Sequence, residues 1–263
     1  MINKPLVGVA ALIFVLAATG VYYLRSRNQP LPAAPSAPTA VAPSSSEPSI
    51  AHPLPAAPGS AAAAPLPELA DSDAPLHDAL SQISSADAVK DFLVPQDLIR
   101  KIVVTIDNLP RQKVAVDKRP ANPVAGEFLA DGDELHATLD QRNFERYKPM
   151  IAVINHLDAK QLGELYIHYY PLFQQSYQNL GYPNGYFNDR LVEVIDNLLA
   201  TPEPKGPIAL VRPNVMYTYA DPALEGRSAG QKLLIRMGPE NAKAVKAKLT
   251  ELRAVITAGQ LKH

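Results

Sequence analysis

Asp189, Arg190, Glu193 and Asp196 fall on adjacent turns of one predicted helix, residues 189–200, whose apolar positions Leu191, Val194, Ile195 and Leu198 line one side. Glu193 and Asp196 stand three apart, so their carboxylates can converge on one face. Two converging carboxylates are the raw material of acid/base hydrolysis, and Glu164 is a third candidate for such a pair. Helices also carry many carboxylates that do no chemistry. Arg190 and Glu193 have the spacing of an ordinary ion pair, and that pair is the expected arrangement here.

A second candidate surface lies just upstream. Tyr166, Tyr169, Tyr170, Tyr177, Tyr182 and Tyr186 crowd into one short stretch, with a turn at Asn184–Gly185. A tyrosine offers a large rigid ring with a polar tip, which suits binding of peptides or glycans. Tyrosines at helical spacing more often pack in a core with their hydroxyls at its rim. Further on, Asp221, Glu225, Arg227, Lys232, Arg236 and Glu240 punctuate the last third. Arg236 near the helix start at Pro239–Glu240–Asn241 could hold an anion or a peptide carboxylate; an ion-pair network fixing the helices is the expected alternative. The surface residues singled out for binding are Tyr169, Tyr182, Tyr186, Asp189, Arg190 and Arg236.

Other chemistries find no support. The six histidines, His52, His77, His136, His156, His168 and His263, form no metal-ligand motif, so neither a metal nor another cofactor is expected. Absence of cysteine removes thiolate catalysis, disulfides and Cys-ligated zinc. Ser45, Ser81, Ser176 and Ser228 lack a Gly-x-Ser-x-Gly context, and phosphate-cradling glycine loops are missing. With 25 basic against 26 acidic residues the net charge is −1, which argues against a nucleic-acid partner.

The elements that must position these residues follow from hydrophobic spacing. Helices are predicted from Pro75 to Ile83 with Ser72 or Asp73 as cap, from Ala86 to Phe92 capped by Ser85, and over 96–109, ended by Pro110. An extended stretch, 111–126, precedes a small hairpin formed by 128–130 and 135–137. Asn143 is expected to cap the following helix and Asp158 the next, which Pro171 breaks or bends before the pattern resumes to Leu180. Asn188 is expected to cap 189–200. Two short strands, 208–211 and 215–219, precede helices at 228–237 and 240–257.

The amino-terminal part reads differently. Residues 5–24 are apolar and uncharged, about the length a spanning helix needs. Tyr22 and Tyr23 lie at the far end, where amphipathic rings favour the headgroup region. A cleaved leader with Ala18–Thr19–Gly20 as its site is the competing reading, but Val21 to Leu24 carry the apolar run past that point. Lys4 before the span and Arg25 and Arg27 after it leave the positive-inside rule nearly balanced. A very short leading tail and the tether favour an amino terminus inside and a domain outside. Residues 30–67 hold 11 prolines and one charge, Glu47. Burial there cannot offset the entropy of ordering, and a fully extended tether would reach roughly 120 Å.

A series of motifs runs through the folded part: Asn143–Phe144–Glu145–Arg146–Tyr147, Tyr169–Tyr170–Pro171–Leu172–Phe173, Leu180–Gly181–Tyr182–Pro183, Gly185 to Leu191, Leu198 to Pro202, Ala220–Asp221–Pro222, Gln231 to Gly238 and Glu240–Asn241–Ala242. This series resembles the uncharacterised bacterial domain-of-unknown-function family 3014. The resemblance implies an amino-terminal membrane segment and a proteobacterial envelope setting; it brings no assigned activity.

The expected organisation is therefore an anchor over 1–28, a disordered Pro/Ala/Ser-rich linker over 29–74 and a domain over 75–260. The fold class is mainly α, a helical bundle-like domain with a small β-hairpin element, behind a single transmembrane helix. The expected function is a non-enzymatic protein of the bacterial inner membrane, its domain periplasmic and bound to a protein or cell-wall partner. The alternatives are an envelope hydrolase using the paired carboxylates, and a structural assembly subunit.

Overall fold

Leu98, Ile99, Ile102, Val103 and Ile106 recur at helical spacing and are all nearly or fully buried. They form the inner face of a helix over Leu98–Asn108, and each such side chain contributes about 1.5–3 kcal/mol by leaving water. The computed structural model describes residues 50–55, 65–112, 118–133, 136–213 and 216–258. Among these the chain forms ten α-helices. They are α1 (Asp73–Ile83), α2 (Ala86–Phe92), α3 (Leu98–Asn108), α4 (Arg142–Glu145), α5 (Lys148–Asn155), α6 (Ala159–Asn179), α7 (Phe187–Leu199), α8 (Pro222–Glu225), α9 (Ala229–Arg236) and α10 (Pro239–Ile256).

The bundle is built on α6, which packs against α3 and α10, while α7 packs against α3 and α10 as well. At its centre the Phe173 and Phe187 rings stack 5.9 Å apart with planes 2° from parallel. The approach of α9 to the end of α3 requires Gly230. Its amide donates to the Leu109 carbonyl at 3.0 Å, and a Cβ there would sit 2.5 Å from Leu198 Cδ2.

Two antiparallel hairpins flank the bundle. Strand β1 (Ala130–Asp131) pairs with β2 (Thr138–Leu139), and β3 (Leu210–Val211) with β4 (Thr218–Tyr219). The hairpins meet through a bridge between Thr138 and Ala209. Ala137, Leu139, Leu210, Tyr219 and Ile235 form a second, smaller core beneath them.

Several expectations shift. The first hairpin pairs Ala130–Asp131 with Thr138–Leu139, so its strands start two and three residues later than the predicted 128–130 and 135–137. Asp158 does cap α6, accepting from the amides of Lys160 and Gln161, and Ser85 caps α2. Pro171 does not break α6; it lies on the exposed side, where the carbonyl four residues back can turn to water. Asn143 caps nothing. It lies inside α4, and its side chain pairs with both main-chain groups of Leu129 at 2.9 and 2.6 Å. Asp73 caps not its own helix but the neighbouring one, accepting from the amides of Asp97 and Leu98 at 2.7 and 2.8 Å. Asp97 itself adopts φ 55° there.

Buried residues begin before residue 75. Leu69 in a short 3-10 turn is buried, and Leu54 and Leu66 pack against the main core. No described helix is long and apolar enough to cross a membrane; the predicted span at 5–24 lies outside the described residues, as do 29–49 and 56–64 of the predicted linker.

Candidate functional site

Successive helix positions turn by about 100°, so the first turn of α7 fans its side chains in different directions. The helix opens at Phe187 with Tyr186 as N-cap, two residues earlier than predicted and with no side-chain cap. Phe187 points into the core, fully buried. Asn188, expected to be a cap, is instead inside the helix and fully buried. Its oxygen accepts from the Tyr166 hydroxyl at 3.2 Å, and its amide donates to the carbonyls of His52 at 2.8 Å and Ile256 at 3.3 Å. A buried amide with every group engaged in this way fixes the position of what it touches.

Asp189 turns toward residues 50–55. Its two oxygens accept from the amides of Ala51 at 3.0 Å and His52 at 2.6 Å. The Tyr186 hydroxyl accepts from the Leu54 amide at 3.3 Å. Pro53 has no amide to satisfy. The start of α7 thus holds a proline-containing segment, bent at Ala51 and His52, chiefly by its main chain, with Leu54 as an apolar anchor. The negative carboxylate also suits the positive end of the helix.

Arg190 turns the other way, toward α3. Its Nε donates to Asp107 Oδ1 at 3.2 Å, one Nη to the Asp107 carbonyl at 2.6 Å and the other to Glu193 at 2.8 Å. Asp107, buried, also accepts from Arg111 at 2.6 Å and from the Tyr182 hydroxyl at 3.3 Å. Burial alone works against the Arg190 charge, but Glu193 and Asp107 outweigh it and raise its pKa. The Tyr177 and Tyr182 rings stack at 4.6 Å over this network. A shallow cavity of about 340 Å³ is walled by Asp107, Tyr177, Tyr182, Tyr186, Asp189, Arg190 and Glu193.

The neighbouring phenols are held neutral. Burial raises Tyr166 well above its ordinary value, and burial with the nearby Tyr186 raises Tyr170. They act as hydrogen-bonding groups: the Tyr170 hydroxyl donates to Gln174, which accepts from the Phe187 amide and donates to the Gly185 carbonyl. That chain of bonds sets where α7 begins.

Of the residues singled out in the sequence, Tyr182, Tyr186, Asp189 and Arg190 come together here. Tyr169 does not. It is a core residue of α6 with its ring edge-on to His168 at 4.9 Å, and burial and Asp78 raise its pKa. Arg236 belongs to the hairpin side, its guanidinium 5.8 Å from the Phe128 ring centre and 5.7 Å from that of Tyr219. Aromatic faces and a hydrogen bond with the Tyr219 side chain, rather than the expected ion-pair network, hold this cation.

The paired carboxylates separate. Glu193 is 62% exposed and joins Arg190, as expected, while Asp196 is 49% exposed and takes Arg253 at 2.6 Å. Glu164 faces Lys160 at 3.8 Å. Each carboxylate has its own cation and open solvent, so the desolvated pair that the hydrolase reading requires does not form from these residues. No group of three His, Asp or Glu suited to a metal occurs among the described residues. A larger cavity, about 620 Å³, lies between the hairpins and the start of α10. Its charged groups are tied to one another: Arg142 binds Asp140 at 2.5 Å, and Lys246 donates to the Thr201 carbonyl and pairs with Glu203. Arg142 holds the Asp140 carboxyl below its usual value.

Asp107 was passed over in the sequence, and Asn188 was read as a cap rather than as part of the site. A signal was present: each interrupts an apolar helical stripe, Asp107 four residues after Val103 and Asn188 three before Leu191. A polar side chain in a buried stripe must find partners there. Residues 50–55 carried no such mark.

The fold and this site define a mainly helical domain with a polar cradle at one helix start. The chain belongs to the family described as "Protein of unknown function (DUF3014)", whose model matches residues 98–253, more than half of the chain. Neither the curated proteins nor the solved structures yield a match.

Proposed function

We propose that this is an anchored envelope protein whose helical domain binds a protein partner, with residues 5–24 as the membrane span and the proline-rich stretch as its tether. The observation that carries the reading is the cradle of Tyr186, Asn188 and Asp189, which grips a short non-helical segment through four main-chain hydrogen bonds. Main-chain capture of this kind is how peptide-binding surfaces gain affinity with modest demands on sequence. The adjoining Tyr182 and Arg190 supply a ring and a fixed charge of the sort enriched in interfaces.

A photo-crosslinking residue in place of Tyr182, in the full chain expressed in cells, tests this. A discrete protein adduct that disappears with Asp189→Ala is the expected result. Absence of any adduct, together with measurable turnover of a wall-derived substrate, would overturn it.

A further inference from the structure

We propose that residues 50–55 are an intramolecular ligand of the α7 cradle, and that the partner presents a peptide segment of the same kind and must displace them. This rests on the reading that the cradle side of the domain binds a protein partner.

Three features define the kind of peptide. Two successive amides are needed, because the Asp189 carboxylate accepts from Ala51 and from His52. A carbonyl must follow on the second of these residues, where Asn188 donates at 2.8 Å. An apolar side chain two residues later then reaches the core, as Leu54 does, while the residue between can be proline because nothing accepts from it. Ala51 and Pro53 are exposed, so the side chains at those positions are weakly specified. The recognised pattern is therefore two non-proline residues, a third residue that is free to be proline, and a leucine-sized residue whose amide meets the Tyr186 hydroxyl.

The seated segment is also the chain's own. It lies in the stretch that, on the proposed reading, leads back to the membrane. A ligand joined to its site by a short connection acts at an effective concentration of about 1 mM. If the segment's own intrinsic Kd is about 100 μM, it occupies the cradle about nine-tenths of the time, and a peptide from outside shows roughly tenfold weaker apparent binding.

The test uses a fluorescein-labelled hexapeptide, Ile-Ala-His-Pro-Leu-Pro, and the full-length chain in detergent micelles. One variant replaces residues 50–55 by alternating Gly and Ser. A second, Ala51→Pro with His52→Pro, removes the two amides that donate to Asp189 and leaves the residues of the cradle unaltered. Cooperative thermal unfolding by circular dichroism confirms that each is folded. Both variants are expected to bind the peptide at least about tenfold more tightly than the unaltered chain. Adding Asp189→Ala is expected to abolish that gain. A control peptide with proline in place of its Ala and His is expected not to bind.

No peptide binding by the released variants, or equal binding by the unaltered chain, overturns the proposal. In-cell crosslinking from position 182 separates the two readings. An adduct that intensifies when the segment is released supports both. An adduct indifferent to release means the partner docks without displacing the segment, and this inference fails while the proposed function stands. Peptide binding in vitro with no adduct in cells leaves the seated segment in place as a ligand of the cradle but removes the displacing partner, so this inference fails; the proposed function falls with it only where turnover of a wall-derived substrate is also measured.

Discussion

The start of α7 and the hairpin side of the domain solve the same problem in opposite ways. Each must keep an arginine in a partly buried place. At α7, Arg190 is held by directed bonds to a buried carboxylate, a carbonyl and Glu193. At the hairpins, Arg236 lies between the faces of Phe128 and Tyr219, and its Nε, buried, has no hydrogen-bond partner among the described residues. Directed bonds fix geometry and fail sharply when one partner is removed. Ring faces tolerate small shifts and give up less. The first region is therefore built to hold one arrangement, and that is what a surface needs to seat a peptide main chain. The second is a packing solution for a thin layer of strands.

The largest expected difference between the regions comes from Asp107→Ala. It leaves Arg190 and Arg111 without their shared carboxylate and is expected to cost about 3–5 kcal/mol in chemical denaturation. A loss under about 1 kcal/mol would mean that water replaces the carboxylate freely and the network is not rigid. Gly238→Ala probes the hairpin side through its backbone. Gly238 has φ 85° and a Cβ there would fall 2.5 Å from the Phe144 ring, so about 1–3 kcal/mol is expected.

Arg236→Ala is expected to cost less, about 1 kcal/mol, and Arg236→Lys less again, as read from denaturation midpoints. If Arg236→Ala matched Asp107→Ala, the contrast between bonded and ring-held arginines would collapse. Glu193→Gln should change stability by under about 0.5 kcal/mol, because its side chain is open to water.

The smallest effect is a pH dependence. The Asp140 carboxyl is held below its ordinary 3.8 by Arg142. Its contribution is present above the unfolded value and is lost as pH falls through the lower folded value. Asp140→Asn should flatten the acid limb of the stability curve there and leave neutral pH unchanged. An unchanged acid limb would show that the pair does not persist in solution.

Much of the bundle was legible in the sequence because packing leaves a periodic trace. The stripe Leu98 to Ile106 predicted α3 to within a residue or two, and Asp158 and Ser85 named their helix starts correctly. What escaped was held by side chain to main-chain bonds between distant segments. Asn143 reads as a cap because asparagine often is one, yet its amide completes the pairing of Leu129. Asn188 was misplaced for the same reason: its partners, His52 and Ile256, lie far away in the chain. Residues 50–55 share their composition with the rest of the tether, and composition carries no information about which six residues dock. Tyr182, Tyr186, Asp189 and Arg190 do lie together, but what each side chain bonds depends on Asp107 in α3 and on a segment read as linker.

Amide hydrogen exchange of the full-length chain tests the seating of that segment most directly. The amides of Ala51, His52 and Leu54 are expected to exchange at least tenfold more slowly than those of an unstructured chain of the same sequence, and Asp189→Ala should abolish the protection of the first two while leaving the core of α7 protected. Exchange at the unstructured rate in the unaltered chain would contradict the account.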